Sequence, residues 1–138
     1  MKKNSQLQGL MSASDVVLSY LKSFSTGDPA LIASHVTEDF ENNQMGTLGQ
    51  CFVGRNIYLK RLVLFLGAFT DLKYTIEDII CDGDKVAITY RMTANVDGCD
   101  INIPGVMTIM LREGIICKRN DYWDGLTYQK QIADSKGE

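Results

Sequence analysis

Residues 82–98, "DGDKVAITYRMTANVDG", decide the fold: an alternating run stands between two Asp-Gly pairs. Asp-Gly beside alternating apolar residues is a strong hairpin signal, because the central residues of the tight turn must accept positive φ. Within the run, Val86, Ile88, Tyr90, Met92, Ala94 and Val96 share one face, while Ala87, Thr89, Arg91, Thr93 and Asn95 share the other. Upstream, a further apolar, β-branched-rich run begins at residue 71. Downstream, Glu113-Gly114 separates two more. Three hairpins in succession predict a four-stranded antiparallel meander.

The first half of the chain reads as helical. Ser12-x-x-Asp15 resembles a capping box, and Val16, Val17, Tyr20, Leu21 and Phe24 recur at helical spacing before Gly27, which predicts a helix over about 13–25. Asp28-Pro29 predicts a short second helix ending near His35, since the carboxylate caps free N–H groups and proline suits the first turn. Residues 37–54, "TEDFENNQMGTLGQCFVG", predict a short strand and then an irregular loop. In "RNIYLKRLVLFLGAF", residues 55–69, Ile57, Tyr58, Leu62, Phe65, Leu66 and Phe69 form one stripe, with Leu59, Val63 and Leu64 around the rest, so a third helix buried on most sides is expected. Helices first and a meander after predict an α+β domain with helices packed on one sheet face. A polar leader precedes residue 12, and "QIADSKGE" at 131–138 reads as a frayed tail.

Composition narrows the function classes. A length of 138 residues suits one domain with one core. The net charge is −3 and the lysines and arginines are scattered, so a nucleic-acid partner is not expected. No run reaches the roughly eighteen apolar residues of a membrane span, and polar residues interrupt the first fifteen, so a soluble, cytoplasmic protein is expected. Cys51, Cys81, Cys99 and Cys117 are widely spaced without C-x-x-C and read as reduced, mostly buried thiols. No phosphate loop, zinc spacing or serine elbow occurs, so neither a metal nor a nucleotide cofactor is expected.

The last run is less orderly. Ile115, Cys117, Arg119, Asp121 and Trp123 alternate with Ile116, Lys118, Asn120, Tyr122 and Asp124, so neither face is cleanly apolar and both are expected to be partly covered. Two readings stand. In one, the apolar stripe from Val86 faces the core and Arg91 and Asp121 form a surface ion pair. In the other, that stripe meets a partner subunit, while Thr89, Arg91, Thr93 and Asp121 point into a cavity between sheet and helices. An acid in such a cavity is drawn toward its neutral form by loss of water and back by a guanidinium, which suits acid/base work. Trp123 shares the face of Asp121, and Tyr122 and Asp124 lie opposite, so the two acids are not a catalytic pair. Tyr20 lies on the apolar stripe of the first helix and reads either as a core residue or as one whose hydroxyl extends to the cavity. His35 is read as a structural partner of helix-terminal carbonyls.

"TGDPALIASHVTEDF" at 26–40, "GRN" at 54–56, the meander and "EGIICKRNDYWD" at 113–124 follow one another in an order and spacing that carry a resemblance. Over about residues 12–130 the chain resembles the SnoaL-like polyketide cyclase and limonene-epoxide hydrolase branch of the nuclear-transport-factor-2-like superfamily. The resemblance implies a cone-shaped α+β fold, with a curved antiparallel sheet packed around three N-terminal helices. It also implies a mostly apolar pocket for a hydrophobic small-molecule ligand and a homodimer through the outer sheet face. In the cyclases the acid/base aspartate precedes the tyrosine of the last strand, which is Asp121 here. Against the Asp-Arg-Asp triad of the epoxide hydrolases, Arg91 matches the arginine and Asp121 one aspartate, and Thr93 stands for the other. Asn42 replaces their tyrosine, and Gln44 lies near their asparagine. Ketosteroid isomerases carry acids near Gln44 and Gly105, and neither is present. The resemblance therefore implies a cofactor-independent enzyme acting on a carbonyl-bearing compound, with Asp121 and Arg91 catalytic and Trp123, Thr93, Asn42, Gln44 and Tyr20 binding substrate. The alternative is a non-catalytic ligand-binding or dimerising module.

Overall fold

Helix α1, Ala13–Ser23, begins where Ser12 accepts the Asp15 N–H at 3.1 Å, and a 3₁₀ turn over Phe24–Thr26 closes it at Gly27, whose φ is 70°. In this computed structural model, which describes residues 11–137, the predicted leader up to residue 10 lies outside the described residues. Asp28 accepts the Ala30 and Leu31 N–H groups and starts helix α2, Pro29–Ala33. Strands β1, Val36–Gln44, and β2, Cys51–Val53, come next, then helix α3, Arg55–Ala68. The meander is β3, Thr70–Asp82, β4, Lys85–Val96, β5, Cys99–Arg112, and β6, Ile115–Trp123. Helix α4, Gly125–Ser135, ends the described chain.

The expected meander is present. Asp97 and Gly98 have φ of 51° and 84°, and Glu113 and Gly114 have 54° and 79°, so both two-residue turns take the left-handed conformation that matches the twist of a hairpin. The sheet is larger than the meander, with the order β2-β1-β6-β5-β4-β3. The β1 strand joins β6 in parallel, and every other pairing is antiparallel. Register shifts interrupt the β1–β6, β3–β4 and β5–β6 pairings. Such irregularities bend strands, and the sheet curves over α1 and α3 without closing.

Val86, Ile88, Tyr90, Met92 and Ala94 all face the core formed with Tyr20, Phe24, Ile32 and Leu62. This overturns the cavity reading of β4: the apolar stripe packs against helices, and Arg91 and Thr93 belong to the outer face. That outer face exposes Ile80, Val106, Met110 and Tyr122.

Three other expectations fail for physical reasons. Helix α3 buries only Tyr58 and Leu62, and Val63 and Leu64 stand 56% and 74% exposed, because the sheet covers one side of the helix alone. The tail is helical rather than frayed through Ser135, with Asp124 capping the Thr127 N–H at 3.0 Å and Gln131 bonded to the β5 backbone at Asn102. Cys51 and Cys81 are exposed, whereas Cys99 and Cys117 are buried, and all four are free thiols. No helix among the described residues is long and apolar enough to cross a membrane.

Candidate functional site

The parallel β1–β6 pairing brings chemistry together. It sets Asn42 beside Arg119 and Gln44 beside Asp121. Alternation along β6 then aims Arg119, Asp121 and Trp123 inward, toward a cavity of about 360 Å³ under helices α3 and α4. Tyr58, Leu62 and Phe65 of α3 and Tyr128 of α4 line it with Phe24, Phe52, Tyr74 and Tyr90. Wider grooves of about 580 Å³ beside His35 and 500 Å³ on the outer sheet face are lined by no buried charged residue among those described. Arg119 and Asp121, each 3% exposed, are the only buried charged residues described.

These two form an ion pair, with Arg119 Nη2 2.7 Å from Asp121 Oδ2. The Tyr90 hydroxyl donates to the other carboxylate oxygen at 2.5 Å. Arg119 Nη1 donates to the Tyr20 hydroxyl at 2.9 Å, Nη2 also reaches Tyr74 at 3.3 Å, and Tyr20 is hydrogen-bonded to Tyr58. The rings of Tyr20, Phe24 and Tyr74 surround the guanidinium with centroids 5.5–6.0 Å from its carbon. Taking two charges out of water is costly, and only this density of donors and acceptors makes the pair tolerable.

Burial pushes the Tyr58, Tyr74 and Tyr90 phenols above their ordinary range, and for Tyr90 the Asp121 carboxylate adds to it. These side chains therefore stay neutral hydrogen-bond donors at physiological pH. Burial opposes the Arg119 charge, but the oxygens of Tyr20, Tyr74 and Asp121 outweigh it and hold the guanidinium well above its usual pKa. The arrangement is a carboxylate paired with a guanidinium at the wall of an aromatic cavity.

A glycine makes room for the Tyr90 contact. Gly105 pairs with Tyr90 on one side and Trp123 on the other, and a Cβ at residue 105 would collide with the Tyr90 ring and hydroxyl. The phenol crosses this gap to reach β6.

Asp121, Trp123, Asn42 and Gln44 of the expected site line the cavity. Tyr20 reaches it through Arg119. Arg91 does not: it stands on the outer face of β4, 3.8 Å from Glu77, and Thr93 shares that face. The arginine that meets Asp121 is Arg119, two residues earlier on the same strand, and the i, i+2 alternation was the signal for it. Tyr90 and Tyr128 had no such signal, because the first looked like one more member of an apolar stripe and the second lay near the tail. His35 keeps its structural place, with Nδ1 3.0 Å and 3.2 Å from the Leu31 and Ile32 carbonyls.

A family model described as a SnoaL-like domain matches residues 17–119. No curated protein matches the chain in sequence. Among solved structures, a candidate SnoaL-like polyketide cyclase from Shewanella denitrificans OS-217 superposes with a TM-score of 0.80 at 18% identity, covering 88% of this chain and 97% of that one. IdmH, a candidate polyketide cyclase from Streptomyces antibioticus, gives 0.77 at 20% identity over 88% and 99% of the two chains. A protein of ketosteroid isomerase-like fold from Catenulispora acidiphila, in complex with trimethylamine, gives 0.79 at 16% identity over 87% and 93%. At these identities the likeness is one of fold.

Proposed function

The chain belongs to the SnoaL-like domain family, and from that premise we propose that it is a cofactor-independent enzyme that moves a proton on a hydrophobic, carbonyl-bearing small molecule. The observation that carries the reading is a buried carboxylate, Asp121, held by Arg119 and Tyr90 at the wall of an aromatic cavity. The fold alone assigns no reaction, and these side chains are what distinguish one.

Asp121 is the proton carrier. Each of its oxygens accepts one hydrogen bond from the protein and retains a lone pair, so the ionised carboxylate can take a proton from the carbon next to a carbonyl. Arg119 and Tyr90 orient it and compensate its charge, the role that sequence reasoning gave to Arg91. The carboxamides of Asn42 and Gln44, beside Arg119 and Asp121 across the β1–β6 pairing, supply N–H groups for the carbonyl oxygen as enolate charge develops. The enolate carbon then attacks a second carbonyl of the same molecule, and the proton on Asp121 passes to the alkoxide formed. Atoms and charge balance without an added reagent.

Exchange of α-protons for deuterium in a hydrophobic β-keto ester, followed by NMR, tests the first step. The protein should accelerate exchange, and Asp121→Asn should remove the acceleration by about 10²- to 10⁴-fold, the usual worth of a positioned general base. Equal rates for the two proteins would sink the mechanism.

A non-catalytic binding module is the second reading. It is favoured by the absence, among the described residues, of another carboxylate on the cavity wall and by the engagement of both Asp121 oxygens. A ligand that copurifies and survives incubation unchanged would support it.

A further inference from the structure

Arg61 of α3 sits on the cavity wall one turn from Tyr58 and Phe65, and it is solvent-exposed, which places it at the rim. Its guanidinium lies 4.7 Å over the Phe52 ring, and Nη1 donates to Gln50 Oε1 at 2.8 Å. The other arginines are all compensated: Arg55, Arg91, Arg112 and Arg119 have carboxylates at 3.6, 3.8, 2.6 and 2.7 Å. Arg61 has none within 4.0 Å among the described residues. Arg119 and Asp121 cancel, so the described residues that line the cavity carry one net positive charge, at Arg61.

We propose that Arg61 is a specificity-determining residue that anchors a carboxylate on the ligand, so that the ligand class is an apolar carbonyl compound bearing an acidic tail. This inference rests on the reading of the cavity as a small-molecule site. Among the described residues, four of the five guanidinium N–H donors of Arg61 have no protein acceptor, and a planar fork of this kind matches a carboxylate bidentately. The Phe52 ring and Gln50 restrict the side chain, which reduces the ordering needed when an anion arrives. Rim placement suits a tail rather than a reacting group. The apolar body then fills the space between Phe65, Trp123 and Tyr128, with its carbonyl directed at Asp121.

Isothermal titration calorimetry of the full chain with naphthoate, the matching carboxamide and a naphthylmethyl trimethylammonium tests this. The carboxylate should bind about tenfold more tightly than the carboxamide, as expected for one charge-assisted bidentate contact partly screened by water. Arg61→Gln should abolish that preference and leave carboxamide affinity unchanged. Because Arg61 is exposed, the variant should keep the wild-type melting temperature. Equal binding of carboxylate and carboxamide, a preference for the ammonium, or a carboxylate preference that persists in Arg61→Gln would each overturn the anchor while leaving the cavity reading in place. Failure of all three probes to bind would overturn both.

Discussion

Arg119 and Asp121 are each other's justification. Either charge left alone in this aromatic surround would be an uncompensated buried ion, so Arg119→Met should destabilise the fold by about 3–5 kcal/mol in urea unfolding. The double variant Arg119→Met/Asp121→Leu should recover most of that loss, since an apolar pair of similar volume carries no desolvation cost. A double variant no more stable than the single one would show that the hydrogen bonds to Tyr20, Tyr74 and Tyr90 matter more than the charges. At this scale the sequence was half legible. Alternation puts Asp121 and Trp123 on one face and the resemblance singles out Asp121, whereas the sequence points to Arg91 on β4 as the partner arginine and the structure has Arg119 in that place. Arg91 and Arg119 both stand among alternating residues, and only strand curvature and the packed helices settle which faces inward.

At the scale of elements, β4, β5 and β6 work as one row of contacts: Tyr90, Gly105 and Trp123 are cross-strand neighbours, and the missing side chain of Gly105 lets Tyr90 reach Asp121. Gly105→Ala should therefore push the phenol away, costing about 1–3 kcal/mol of stability as for other overpacked sites. It should also reduce turnover or ligand affinity at the cavity. Unchanged thermal stability and activity in Gly105→Ala would show that the phenol can move without consequence. The four meander strands were legible because their turns are local, each set by two residues of chemistry. Strand β1 was legible as a short strand, but its parallel pairing with β6 was not, and helix α4 was not legible at all. β1 is stabilised by a partner 77 residues away, as in the Asn43–Asn120 hydrogen bond, and α4 presents a polar surface with Leu126 76% exposed, so no apolar stripe announces it.

The whole molecule carries a pH dependence on the alkaline side. Tyr58, Tyr74 and Tyr90, half of the six tyrosines, have pKa values raised by burial. A group that holds its proton more tightly folded than unfolded contributes stability in full below its unfolded pKa, which is about 10 for tyrosine. That stability is lost as pH rises from there toward the folded values. Urea midpoints should thus stay level up to about pH 9 and fall steeply above pH 10, with phenolate absorbance of these tyrosines appearing only as the chain unfolds. Phenolate absorbance equal to all six tyrosines in a folded chain would contradict their burial.

What the sequence by itself determined were the features that depend on neighbours along the chain: helix caps at Ser12 and Asp28, tight turns at Asp97-Gly98 and Glu113-Gly114, strand alternation, and through their order the α+β class. Tertiary structure alone decided which face of β4 is inside, that β1 lies parallel to β6, and that Arg119 rather than Arg91 meets Asp121. The physical reason is the range of the forces involved. Backbone turns and caps are fixed over three or four residues, whereas burial of a charge is decided by every element that removes water from it.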